Sequence, residues 1–407
     1  MMWHAWAPSG AGAQDAALLK TCQEADEVKS RLEACRQAAA QGHAAGQFGL
    51  GALYYQGVGV RRDYAEAARW FRLAAKQGHP RAGNNLGALY ADGRGVPKDP
   101  AEAARWYRMA AEQGHARAQA NLGAMYANGQ GVPRDHAEAL RWYRMAAEQG
   151  DPKAQLNVGT MFANGQEVSR DDAEAVRWYR MAAKQGLAQA QHDLGAMYYR
   201  GRGVAKDYAE AMRWYGLAAE QGHARAVTEI GVMHSRGHGV NRDFAEALRW
   251  FRRAAEAGDA LGQFNLGVIH YQGLGVARNH AEAARWFRSA AERGLAKAQF
   301  TLGGMLFHGR GVSQDHAEAA RWYRVAAERG HVGAQALLGV MHVKGEGAPK
   351  DYVRAYMWFD LAASGGSEPA RKARDKLGEA LPPERVEEAR RMSREMSGAI
   401  TAAKGRR

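Results

Sequence analysis

Histidines, recurring acids and glycine-rich loops are the groups in this 407-residue chain that could do chemistry. His234, His270 and His342 recur at multiples of 36 residues, a spacing that raises the question of metal ligation. Zinc needs its ligands at about 2 Å. Rings carried on successive helices stacked roughly 8–10 Å apart cannot share one ion without distortion. His79, His115, His223 and His331 each follow a glycine expected to end a helix, so structural or surface roles are favoured. Loops such as GRGVPKD from Gly93 look like a phosphate cradle, yet each follows a helix and lacks the G-x-x-x-x-G-K-[ST] spacing. Helix capping explains them better. No serine or cysteine stands with an evident base, and acids such as Asp99 and Glu102 are placed to cap helices. No catalytic set emerges, and neither a cofactor nor a metal is expected.

The elements behind these residues are read from tryptophan. Trp70, Trp106, Trp142, Trp178, Trp214, Trp250, Trp286, Trp322 and Trp358 stand 36 residues apart without insertion. That is the signature of a repeat array, and nine units counted from Ala44 fill residues 44–367. An enzyme carries its chemistry once. A segment repeated nine times points to a surface.

Each unit reads as two helices. Arg81 to Asp92 carries Ala82, Leu86, Leu89 and Tyr90 at helical spacing, and Gly93 suits a left-handed helix end. The second helix opens at Asp99, with Pro100 in its first turn and Glu102 three residues after the cap. It presents Ala103, Trp106, Tyr107, Ala110 and Ala111 before Gly114. Gly87 removes a side chain where a Trp or Tyr of the second helix must approach. One such pair cannot bury its faces alone, so stability comes from stacked neighbours.

The combination of Leu86-Gly87, Tyr90, Gly93, Gly95, Val96, Asp99, Glu102, Ala103, Trp106, Tyr107, Ala110, Ala111 and Gly114 resembles the Sel1-like repeats of the tetratricopeptide superfamily. The resemblance implies an all-α, right-handed α-solenoid of helix-turn-helix units and a role in assembling protein complexes, often in bacterial signalling or envelope processes. Departures are local. Glu167 replaces the second loop glycine, Asn279 the capping aspartate and Ala348 the loop valine, and Arg354 stands where Glu102 does. The aromatic of the first helix becomes His234, His270, Leu306 and His342, where looser or more polar packing is expected.

Residues 1–43 and 368–407 read as terminal caps. The first is a degenerate helix pair with Ala34 in the tryptophan position, and the second is a charged helical segment broken at Pro382-Pro383. In one straight helix Cys22 and Cys35 would stand about 20 Å apart. A bend near Glu27 to Lys29 would let them form a disulfide in an oxidising compartment but not in a reducing cytosol. Ala11-Gly12-Ala13 resembles a cleavage site, so a start lying further upstream would make the protein periplasmic or secreted; otherwise it is expected in the cytoplasm. No run of about 18 apolar residues occurs, so no membrane span is expected.

The net charge is +13, of which −1 falls in residues 1–43 and +4 in residues 368–407. Arg105 has Glu102 three residues before it, and Arg108 has Glu112 four after, so a solvated ion-paired face is favoured over a nucleic-acid groove. The leading expectation is therefore a non-enzymatic, monomeric scaffold binding a protein or peptide. Electrostatic binding of nucleic acid or an anionic envelope polymer, and service as regulatory partner of an enzyme, are the alternatives. In tetratricopeptide-like arrays the first helices line the concave side. By that resemblance the stripe beside Leu86 and Tyr90 is the partner surface: Asn85, Asn121, Asn157, Asp193 and Arg200, then Glu229, Arg236, Asn265 and Gln272.

Overall fold

The computed structural model describes residues 13–24, 26–166 and 168–405, and among them there are helices and turns but no strand. Glu167 and the Ala11-Gly12 pair lie outside the described residues, while Ala13 opens the first helix. The chain divides into two compact units, Met1–Lys206 and Asp207–Arg407.

The first unit contains α1 (Ala13–Glu24), α2 (Val28–Ala40), α3 (Ala44–Gln56), α4 (Tyr64–Lys76), α5 (Pro80–Asp92) and α6 (Pro100–Glu112). It continues with α7 (Ala116–Asn128), α8 (His136–Glu148), α9 (Pro152–Asn164), α10 (Asp172–Lys184) and α11 (Ala188–Arg200). The second holds α12 (Tyr208–Glu220), α13 (Ala224–Arg236), α14 (Phe244–Glu256), α15 (Ala260–Gln272), α16 (His280–Glu292) and α17 (Ala296–His308). It ends with α18 (His316–Ala327), α19 (Val332–Lys344), α20 (Tyr352–Ser364), α21 (Glu368–Ala380) and α22 (Pro383–Gly405). Within each unit successive helices pack on one another as helical hairpins stacked into a solenoid, except that α22 packs on α20. We call the first helix of each repeat A and the second B.

Capping fixes the helix boundaries. Asp99 is extended, and its Oδ1 accepts from the backbone N–H of Ala101 and Glu102 at 3.0 Å each. Asn279 performs the same task, accepting from Glu282 N–H at 2.9 Å, so the departure there is functionally silent. The A helices of four repeats start on histidine instead. Nδ1 of His79, His115, His223 and His331 accepts from the backbone N–H three residues on, at 3.2 Å. These residues are helix caps, which the sequence reading missed. An imidazole accepting at Nδ1 must be neutral there. Burial, reinforced by Arg81, lowers His79 from 6.5 to about 4. Its contribution to stability is therefore present above pH 6.5 and is lost as pH falls towards 4.

Packing divides between two aromatic neighbours. A Cβ on Gly87 would meet Cδ1 and Cε1 of Tyr107 at 2.8 Å, so the glycine admits the tyrosine ring rather than Trp106. Gly159 faces Tyr179 and Gly267 faces Phe287 in the same way. The tryptophan does a different job. Trp142 clusters with Ala103 and Ala104 of α6 and Leu122 and Met125 of α7, and Trp178 with the corresponding residues of α8 and α9. Tyrosine thus closes a hairpin while tryptophan fastens it to the preceding one. Gly95, at φ +69°, adds a backbone contact: a Cβ there would lie 2.2 Å from the Tyr64 carbonyl carbon. Only glycine permits that approach.

A buried glutamine completes most seams, though Gly83 and Val227 stand in its place in two repeats. Gln119, 1% exposed, donates Nε2–H to the Ala111 carbonyl at 3.1 Å, satisfying the end of the preceding B helix. Gln155, Gln191, Gln263, Gln299 and Gln335 repeat the bond. The expected loosening at the substituted aromatic position is absent from two of its four sites. Leu306 and His342 are buried, and His342 Nδ1 lies 2.9 Å from the Pro349 carbonyl. Leucine fills the space, and the imidazole finds a backbone partner.

Cys22 and Cys35 form a disulfide across the α1–α2 hairpin and are both buried, with the break between Glu24 and Val28 supplying the bend. Opposite them on α3 is Gly49, where a Cβ would meet Cys22 Sγ at 2.7 Å. At the other end α22 packs along α20: Ser393 Oγ donates to Asp360 Oδ2 at 2.7 Å, and Ala389 is buried beside Val353 and Tyr356.

Candidate binding surface

The A helices turn Leu86-type residues inward, which leaves the adjacent positions facing outward at intervals of three and seven. In the first unit, Asn85, Asn121, Asn157 and Asp193 are half-buried and Arg200 is exposed. Asn121 Nδ2 donates to Asn84 Oδ1 at 3.0 Å, and Asn84 Nδ2 donates to Asn85 Oδ1 at 3.3 Å. The asparagines of α5 and α7 are thus linked across a repeat boundary. Asp193 accepts from Gln189 Nε2 at 3.0 Å and lies 2.9 Å from His192 Nδ1. The side chains of Asn157 and Arg200 make no hydrogen bond or ion pair with another described residue.

In the second unit, Glu229 and Asn265 are half-buried and Arg236 and Gln272 exposed. Glu229 Oε1 accepts from Arg225 Nε at 3.2 Å. Counting on by 36 brings Leu337, Val340 and Lys344 of α19 to the stripe, and Ala373, Lys376 and Ala380 of α21 after them. Leu337 is 37% and Val340 38% exposed, so the stripe turns apolar at its end. The sequence reading stopped at Gln272, although the same count would have reached these residues.

The B helices carry the charged face. Arg69, Arg105, Arg141, Arg177, Arg213, Arg249 and Arg285 pair with the glutamate three residues before, as expected. Exposed pairs of this kind contribute little each. Arg108 departs from expectation: it donates to the Tyr126 hydroxyl rather than pairing with Glu112. Arg72 reaches Tyr90 at 2.7 Å and Arg180 reaches Tyr198 at 2.9 Å in the same way. A phenol packed on the next repeat offers a positioned acceptor, whereas Glu112 is exposed to solvent. Tyr107 and Tyr143 are pushed up to about 12 by burial, so they are packing groups rather than acids at neutral pH. Among the described residues no three His, Cys, Asp or Glu side chains converge as metal ligands would, and no helix is long and apolar enough to cross a membrane.

Paired helices, a recurrent glycine–aromatic frame and a variable A-helix stripe define a helical-solenoid repeat protein. Nine consecutive matches to the Sel1 repeat, from residues 44–79 to 332–367, coincide with the units counted from tryptophan, and the chain belongs to the Sel1 repeat family. It is similar to a protective antigen of uropathogenic Escherichia coli with the same repeat fold, at 33% identity and a TM-score of 0.61. That match covers 96% of this chain and 93% of the other. It is also similar to a Sel1 repeat protein from Oxalobacter formigenes, at 38% identity and a TM-score of 0.61, covering 80% of this chain and 93% of that one. No curated protein matches the chain. Sel1 repeat proteins are generally protein-interaction scaffolds, and their fold is typically non-catalytic.

Proposed function

We propose that this chain is a monomeric, non-catalytic adaptor that holds an extended segment of a protein partner along the A-helix stripe. The carrying observation is variation on a constant frame. Gly87, Tyr107 and their equivalents recur from repeat to repeat, whereas the stripe runs from asparagine through Asp193 and Arg200 to Glu229 and Arg236. Asparagine amides present both a donor and an acceptor, which suits a peptide backbone, and the exposed Arg200 suits an acidic residue beside it. The buried Cys22–Cys35 disulfide supports an oxidising compartment such as the periplasm.

The test is partner capture from a lysate of the source organism with the parent chain and with a combined Asn121→Ala, Asn157→Ala, Arg200→Ala, Arg236→Ala variant. The variant is expected to keep its helicity and melting temperature while losing the partner by at least about tenfold in affinity. Equal capture overturns this reading. A second reading, binding of an anionic polymer, draws on Arg117 and Lys153, which are exposed on neighbouring A helices and paired with no described acid. Affinity falling steeply with salt would favour it.

A further inference from the structure

The end of the stripe in the second unit opens into a trench of about 500 Å³ between α19, α20 and α21. Its walls are apolar: Val340 and Val343 from α19, Tyr352 and Phe359 from α20, Leu377 and Leu381 after them. Phe359 is buried and forms the floor, held against Gly339, while Tyr352 is 41% exposed at the rim. Volumes of this size accept several side chains of a ligand. No described residue of the chain fills the trench. In the regular array a B helix follows each A helix and stacks onward, but α22 turns at Pro382-Pro383 and runs back along α20, tied by Ser393 to Asp360.

The charges around the trench have one sign in excess. Lys344 and Lys376 line it, and Lys350 Nζ stands 5.3 Å over the Tyr352 ring at its mouth. Glu346 lies 3.8 Å from Lys344, both side chains being largely exposed, so one weak pair offsets part of this excess. An apolar wall under a basic rim complements a segment that is apolar on one side and acidic on the other. We infer that this trench is a docking site for an acidic amphipathic segment of a protein partner, with leucine- or phenylalanine-sized side chains between α19 and α21 and carboxylates on Lys344 and Lys376. The site deepens the stripe reading and rests on it, placing an apolar anchor at one end of the surface.

The probe is a short fluorescein-labelled synthetic peptide of Glu, Leu and Phe, with a counterpart carrying Lys for Glu, measured by fluorescence anisotropy against the full chain. The acidic peptide is expected to bind, the basic one to bind at least about tenfold more weakly, and a Lys344→Glu, Lys376→Glu variant to reverse that order. Both lysines are exposed, so the variant is expected to melt with the parent. Val340→Asp provides a second, apolar disruption and is expected to weaken the acidic peptide. Equal binding of both peptides, or unchanged binding by the charge-reversed variant, overturns the proposal. So does competition by a single-stranded oligonucleotide for the same lysines, or a dimer in sedimentation that the lysine substitutions abolish. The asparagine–arginine variant described above leaves the trench intact. A variant that still captures the partner and binds the acidic peptide sinks the stripe and leaves the trench standing, whereas loss of partner in the variant with no peptide binding by the parent sinks the trench alone.

Discussion

The two units share one frame but differ in the polar seams that join their helices. In the first unit, Gln77 donates to Gln47 at 2.8 Å, Gln149 to Gln119 at 2.7 Å and Gln185 to Gln155 at 2.8 Å. In the second unit these partners change together. Val227 and Ala257 stand where one such pair would be, so donor and acceptor vanish at once. Arg293 and Arg329 replace the outer glutamine of the next two repeats, and the Oε1 atoms of Gln263 and Gln299 are left buried without a partner. The arginine–phenol bridges of the Arg72–Tyr90 kind lose their acceptor as well, since His234, His270, Leu306 and His342 replace the aromatic; Arg288 turns to Glu318, and the second unit makes a different bridge, from Arg310 to the Tyr271 hydroxyl at 2.9 Å. The glycine–aromatic contact persists in both units. Shape complementarity is therefore the invariant of the array, whereas polar pairing varies from seam to seam and at Gln263 and Gln299 leaves a buried oxygen unpartnered.

The largest effect that tests this contrast lies at tryptophan. Trp178, 5% exposed in the first unit, fastens two repeats; Trp178→Ala is expected to cost about 3–5 kcal/mol in chemical denaturation. Trp322 of the second unit is half-buried, with its Nε1–H donated to Glu318, and Trp322→Ala is expected to cost less. Equal costs would break the contrast. Next in size, a Cys22→Ser, Cys35→Ser variant should lose about 3 kcal/mol, since the bridge closes a loop of 13 residues. Hydrogen exchange should place that loss in α1–α3 and leave the second unit unchanged. A loss spread evenly through both units would show that the cap governs the whole array. The smallest effect is a repair: Arg293→Gln restores the partner of Gln263 and is expected to stabilise by about 0.5–1.5 kcal/mol. A neutral or destabilising result would mean that the arginine already serves this seam.

The sequence was most legible where the same physical demand recurs nine times. A 36-residue tryptophan period, the Asp99-type caps and Gly87 opposite an aromatic ring are all local or near-local requirements, so residue type and spacing carry them. The candidate stripe was legible as register alone. Which of its amides are linked, as Asn121 is to Asn84, depends on the distance between helices of different repeats. The histidine caps escaped notice because His79 reads equally well as a surface residue after a helix-ending glycine; only its neutral Nδ1 beside the Ala82 N–H reveals the role.

The sequence by itself determined the number of repeats, the limits of their helices and the residues that face inward, because periodicity and capping act within a turn or two of the chain. Tertiary structure alone decided the rest. It assigned the ring contact to Tyr107 and the inter-repeat contact to tryptophan, gave Arg108 to Tyr126 instead of Glu112, and turned α22 back along α20 so that Val340, Tyr352 and Leu377 line an open trench. Those outcomes depend on which of several chemically equivalent partners lies within a few ångströms. Spacing along a chain cannot express that distance until the helices are packed.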